Sequence, residues 1–197
     1  MKNYFPKAAI FIISVFSTFF ILDTFVLDGR VFEWGALTQY GILTNQWWRF
    51  ITSSLLHGGF IHFLANSLSL YFAGVIIEKK IGSHWFLISF LVCNLIERFF
   101  SGFIFSFDYS IGSSPGIYGI IGIILINCLK EKKLFAKHKN TWEMNWVIVY
   151  FIIGNLLGLD AFYVHSVGFI IGIILAMGLL SVEYRRKMQS NDWYNIR

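Results

Sequence analysis

Six apolar blocks alternate with short polar stretches along the chain. They run from about Ala8 to Leu27, Phe60 to Ile77, His84 to Ile96, Ser114 to Leu129, Met144 to Leu159 and His165 to Val182. Blocks of roughly 16 to 20 apolar residues are long enough, or nearly so, to cross a hydrocarbon core of about 30 Å as helices. The first block follows Lys2 and Lys7, as the apolar part of a cleaved signal peptide would. It is longer than a typical signal core and no Ala-x-Ala site follows, so it reads as an uncleaved span whose far end, at Asp23, reaches the interface.

The stretches between the blocks carry their own pattern. Asp28 to Leu56 mixes Trp34, Trp47, Trp48 and Arg49 with apolar residues, the composition of an element lying at headgroup depth. Arg98 to Ile111 is rich in Phe and contains Gly102 and Asp108. It reads as a partly inserted loop rather than an extension of the third span, because Glu97 and Arg98 would be costly in hydrocarbon. Lys130 to Asn140 is a basic loop, Asp160 to Val164 a short link, and a polar tail contains Arg185, Arg186 and Lys187. The expected architecture is a single all-α membrane domain over residues 1–197. Its core is a bundle of six transmembrane helices over about 8–183, with an interfacial first loop and a short polar tail over 184–197. There is no soluble domain, low-complexity linker or clear internal repeat.

Composition agrees with the pattern. The chain is 56% hydrophobic and 14% charged, with a mean hydropathy of +0.64, whereas a soluble domain carries about 25% charged residues. The net charge of +5 does not point to nucleic acid, because the basic residues cluster in short loops and set topology there. Cys93 and Cys128 both lie inside apolar blocks and read as small buried hydrophobes rather than a disulfide. Lys2, Lys7, Lys79, Lys80, the five lysines from Lys130 to Lys139 and the four basic residues of the tail put 13 Lys and Arg on one side, against Arg30, Arg49 and Arg98 on the other. The side richer in Lys and Arg faces the cytoplasm. Both termini are therefore expected inside, and the second, fourth and sixth spans begin at the outer face.

Three polar clusters stand at those three outer starts, and none is needed to make a membrane helix. They are His57, His62 and Asn66; Ser114 in Gly112-Ser113-Ser114-Pro115-Gly116-Ile117-Tyr118-Gly119; and His165 in His165-Ser166-Val167-Gly168-Phe169-Ile170-Ile171-Gly172. Ser114 lies 16 residues before Lys130, His62 16 before Glu78 and His165 18 before Glu183. At about 1.5 Å per residue these are depths of roughly 24, 24 and 27 Å from the inner interface. One polar level shared by three helices implies a water-filled cavity open to the outside. His62 and Asn66 are four apart and share a helix face. Gly168 and Gly172 form a small-xxx-small pair, and Gly116, Gly119 and Gly122 offer small residues on the fourth span, so close packing of spans four and six would bring Ser114 to His165. A serine beside a histidine makes a nucleophile with its general base.

Each cluster also has a plainer reading. Ser114 alone would more often be a helix N-cap, and His62 with Asn66 could be interhelical hydrogen-bond glue. His57, His62 and His165 could bind zinc, but no carboxylate or Cys set accompanies them and no His-Glu-x-x-His occurs, so no metal is expected. His84 and His138 read as interfacial bystanders.

Taken together and in order, these residues resemble the rhomboid family of intramembrane serine proteases. The likeness runs from about Trp47 to Gly172. It rests on Trp48-Arg49, the His-x-x-x-x-His-x-x-x-Asn spacing of His57, His62 and Asn66, Glu78 with Gly82, Gly112-Ser113-Ser114 with Gly119, and His165 with Gly168 and Gly172. The resemblance implies a six-span core of the prokaryotic type in the cell's inner membrane, a Ser–His dyad without an aspartate, no cofactor, and cleavage of transmembrane segments of other membrane proteins. By position it implies Ser114 as nucleophile and His165 as general base. His62, Asn66 and the Ser114 backbone N–H would be oxyanion donors, and Tyr118 the ring packed on the base. Arg49 and Glu78 would hold the first loop and the inner helix ends. One position departs from the family, which usually has glycine directly after the nucleophile; here it is Pro115, which the first turn of a helix accommodates. The rival reading is a noncatalytic relative that binds and escorts membrane proteins; such relatives usually lack the Ser or the His, and both are present. A small-solute transporter would show inverted repeats and broken helices at midplane, and neither is visible. Natural substrate and oligomeric state are not encoded legibly.

The charge asymmetry gives a direct test. Single-cysteine variants in the Asp28–Leu56 loop should react with an impermeant maleimide applied to intact cells, and variants in the C-terminal tail should not. Outside labelling of the tail would refute the assigned orientation.

Overall fold

A computed structural model describes residues 4–104 and 107–189. Six principal helices carry the chain: α1 (Lys7–Ile21), α2 (Phe60–Ile81), α3 (Ser83–Ile104), α4 (Ser114–Lys130), α5 (Trp142–Asn155) and α6 (Leu159–Gln189). The chain has two prolines, and both stand at helix starts, Pro6 before α1 and Pro115 in the first turn of α4. Their missing N–H groups therefore break no ladder. Among the described residues, four helices are long and apolar enough to cross a membrane: Lys7–Val26, which adds the π-helical turn Leu22–Val26 to α1, then Phe60–Ile81, Ser83–Ile104 and Leu159–Leu179. α4, at 17 residues, and α5, at 14, are shorter. The fold is the expected all-α membrane bundle, with four full-length apolar helices and two shorter ones.

α4 is the centre of that bundle. It packs against α2, α3, α5 and α6, and every residue from Ser114 to Ile124 is buried. Its glycines set the spacing to α6. A Cβ on Gly172 would lie 1.9 Å from the Gly119 carbonyl oxygen, and one on Gly168 would lie 2.3 Å from that of Pro115. Backbone thus meets backbone, as small-xxx-small pairs allow.

Polar residues tie the helix ends together. Glu78, near the C-terminal end of α2 and fully buried, accepts from the Ala8 and Ala9 backbone N–H groups at 3.0 and 3.1 Å and from the Ser83 hydroxyl at 2.6 Å. One carboxylate caps the start of α1, whose first N–H groups lack intrahelical acceptors, and holds the start of α3. In the first loop, short helices Arg30–Gly35, Gln39–Leu43 and Arg49–Thr52 fold around Arg49. Its guanidinium donates to the Glu33 and Ala36 carbonyls at 2.9 and 2.6 Å and to the Gln46 side chain at 2.5 Å. Trp34, Trp47 and Trp48 remain exposed on this loop.

Besides the short helix Lys132–His138 within the expected basic loop, three expectations change. The stretch from Arg98 is not a loop at its start, because α3 continues to Ile104; residues 105 and 106 fall outside the described set. Helix is possible there because Glu97 and Arg98 face protein rather than lipid: both are fully buried, 3.5 Å apart. Ser101 donates to Glu97, and Arg98 donates to the Ser110 hydroxyl and to the Gly112 carbonyl. Arg98 accordingly leaves the tally of loop charges on the outer side. Second, Asp160 to Val164 is helical. α6 begins at Leu159 after the left-handed Gly158 (φ 141°), so His165 lies in the second turn rather than at the start. Third, helix continues past Val182 to Gln189, so only the end of the tail, 190–197, remains without description.

Removing one partner of a buried ion pair strands the other charge, at about 3–5 kcal/mol. Arg98→Met should lower the thermal midpoint in detergent more than the double variant Glu97→Gln/Arg98→Met does. Equal midpoints for the single and double variants would show that the pair itself contributes nothing.

Candidate functional site

The site is built around a turn. Gly112 adopts φ 99°, a left-handed conformation that side chains disfavour, and reverses the chain just before α4. It is held from both sides: its N–H donates to the Ser53 carbonyl at 2.9 Å and its carbonyl accepts from Arg98 at 2.5 Å. Ser113 occupies the N-cap position of α4 without a side-chain cap bond, and Ser114 is the first helical residue. The cap comes instead from α3, where the Asn94 side-chain oxygen accepts from the Gly116 N–H at 3.2 Å. Ser114 is therefore not the capping residue, and its own N–H belongs to the first turn, whose donors have no intrahelical acceptor.

His62 and Asn66, on α2, face the same turn. A Cβ on Gly112 would sit 2.9 Å from His62 Nε2 and 3.9 Å from Asn66 Nδ2. Asn66 Nδ2 is buried without a hydrogen-bond partner, while Asn66 Oδ1 accepts from the Tyr150 hydroxyl of α5 at 2.6 Å. His57 is buried beside them, its ring 5.2 Å from that of His62 and 5.0 Å from Phe16, with Nε2 3.5 Å from the Ser113 hydroxyl. It packs behind the turn rather than facing Ser114.

His165 reaches the site from α6. Its ring stacks on Tyr118, centroids 4.0 Å apart and planes 7° apart. Tyr118 lies one turn after Ser114, and its hydroxyl donates to the Tyr150 and Phe151 carbonyls of α5 at 3.2 and 3.1 Å. Gly154 leaves room for this stack: a Cβ there would lie 2.3 Å from the Tyr118 oxygen. Gly168, one turn after His165, rests on the Pro115 backbone. Together these contacts put the imidazole against the first turns of α4, where Ser114 sits. Ser114 and His165 are both buried, at 8% and 7% exposure. No hydrogen bond joins them among the described residues. Catalytic hydrogen bonds are often formed only once substrate is bound.

The structure thus gathers Ser114, His165, His62, Asn66, Tyr118, Gly112, Gly119, Gly168 and Gly172 around one end of α4 and its contact with α6. His57 stands just behind. Arg49 lies in the first loop and Glu78 at the opposite end of α2, both as braces. Three residues that touch the site were not legible in the sequence. The sequence places Arg98 in a loop, and Asn94 and Tyr150 are single polar residues in apolar runs, which no spacing distinguishes.

The family model of the Rhomboid domain matches residues 44–182. The chain is 32% identical over 140 residues to "Rhomboid protease GluP" of Bacillus subtilis (strain 168), covering 71% of this chain and 27% of that protein. It is 32% identical over 98 residues to "Putative rhomboid protease YdcA" of the same organism, 49% of each. It is also 29% identical over 132 residues to "Inactive RHOMBOID-like protein 8" of Arabidopsis thaliana, 66% of this chain and 36% of that one. The chain therefore spans about half or less of the length of these relatives. The matched segment reaches from the first loop through the glycine contact of α4 and α6, and with it the chain belongs to the rhomboid family.

Proposed function

We propose that this chain is a serine endopeptidase that hydrolyses peptide bonds in or near transmembrane segments of other membrane proteins. The observation that carries the reading is the convergence on one turn: Ser114 at the start of α4, the imidazole of His165 held on Tyr118, and His62 with Asn66 facing Gly112. Ser114 Oγ attacks the scissile carbonyl carbon as its proton passes to His165. The carbonyl oxygen becomes an oxyanion, stabilised by the Ser114 N–H, His62 and Asn66 and by the positive end of the α4 dipole. Collapse of this intermediate breaks the C–N bond. The leaving amine takes the proton from His165, and an acyl-enzyme is left on Ser114. Water, deprotonated by His165, then attacks the ester and restores the hydroxyl.

Both termini lie in the cytoplasm in this reading, the membrane is the inner membrane of a prokaryotic cell, and the water enters from the outer face. A transmembrane helix sequesters its carbonyls in its own hydrogen bonds, so the substrate must unwind locally. Segments with small or helix-breaking residues near the cut are the expected substrates.

A fluorophosphonate should label the wild-type protein and fail to label Ser114→Ala. Ser114→Ala and His165→Ala should each abolish cleavage of a model transmembrane substrate while the helical fold persists. The double variant should be no worse than either single, because the two act as one unit. Full activity in Ser114→Ala would sink the protease reading and leave a binding or escort role.

Pro115 gives a second test. In many serine hydrolases the residue after the nucleophile donates its N–H to the oxyanion; Pro115 has none. Pro115→Gly should therefore keep most activity, whereas His62→Ala/Asn66→Ala should lose more than the roughly 10²–10³-fold typical of one donor. An inactive Pro115→Gly beside a nearly silent His62/Asn66 pair would reassign both side chains to structure.

A further inference from the structure

We propose that Tyr150, on α5, is a positioning residue that sets the orientation of the Asn66 carboxamide toward the oxyanion. The inference rests on the protease reading above. A carboxamide has an acceptor end and a donor end, and only the donor end can stabilise an oxyanion. The Tyr150 hydroxyl donates to Asn66 Oδ1 at 2.6 Å. With the oxygen so engaged, Nδ2 must point the other way, and it does: it lies 3.9 Å from where a Cβ on Gly112 would be, buried and without a hydrogen-bond partner. Rotation of the amide by half a turn would present Oδ1, an acceptor, to the developing negative charge. The interaction would then change from attraction to repulsion.

No other described group holds the Asn66 oxygen. The next polar side chain along this face of α2, Ser69, is already engaged: it donates to the Ala65 carbonyl at 2.7 Å and accepts from the Trp146 ring N–H at 3.0 Å. That second link between α2 and α5 does not involve Tyr150. Tyr150 also meets Tyr118, the ring beneath His165, without its hydroxyl, since its backbone carbonyl accepts from Tyr118 and its ring lies 5.5 Å from the Tyr118 ring. Tyr150→Phe therefore removes one hydroxyl and leaves both the helix contact and the support of the His165 stack in place.

The test is a double-mutant cycle on purified, folded full-length protein with a model transmembrane substrate. In the wild-type background, Tyr150→Phe should lower kcat about tenfold, short of the roughly 10²–10³-fold loss of a whole donor, with KM within about twofold. In the Asn66→Ala background, where there is no amide to orient, the same substitution should cost nothing further. An unchanged kcat in Tyr150→Phe would overturn the proposal. So would an equal loss in both backgrounds, which would mean a general loosening of the α2–α5 contact. In either case Ser114-dependent labelling of the wild type by fluorophosphonate would keep the protease reading intact. A wild-type protein that is neither labelled nor active would overturn both.

Discussion

Backbone contact between α4 and α6 sets the geometry on which everything else at the Ser114 end of the bundle depends. A Cβ on Gly172 would fall 1.9 Å from the Gly119 carbonyl oxygen, so no side chain larger than hydrogen is possible without separating the helices. Lipid tails are as apolar as leucine, and helices in a bilayer associate through packing and hydrogen bonding rather than by escaping water. Glycines provide that packing here by letting the helix axes approach. The same approach carries His165 to the first turns of α4. The stack of His165 on Tyr118 is thus a consequence of glycines further along the two helices.

Polar groups inside the bundle divide into two kinds. Glu78, Asn94 and Arg98 are buried and spend their hydrogen bonds on backbone groups of helix starts and the Gly112 turn. They replace the water that a loop end would otherwise need. Asn66 Nδ2 is buried with no such partner. It lies 3.9 Å from where a Cβ on Gly112 would be. A buried donor without a partner is expensive in a protein interior, and this one faces the turn that opens α4. The first kind of group holds the second kind still: Arg98 and the Ser53 carbonyl fix Gly112, and Gly112 in turn fixes where Ser114 begins.

What the sequence by itself determined follows from local chemistry. Apolar blocks longer than a soluble core helix needs, broken by basic loops, specify an all-α membrane chain. The spacing of His62, Ser114 and His165 places three polar groups at one expected depth because helical rise is constant. Glycine spacing on the fourth and sixth blocks announces a close contact. The tertiary structure decided matters that depend on what surrounds a residue. Along the chain Glu97 and Arg98 are incompatible with a lipid-facing span, because a charge in lipid is costly; burial against the Gly112 turn and Ser110 removes that cost, and α3 runs on to Ile104. Asp160, which the sequence leaves in a short link, opens α6, whose first turn is exposed and can carry a charge. The parts of Tyr150 and Asn94 could be decided only by folding. Nothing in their neighbours along the chain marks them, and their partners, Asn66 and Gly116, lie on other helices, 84 and 22 residues away.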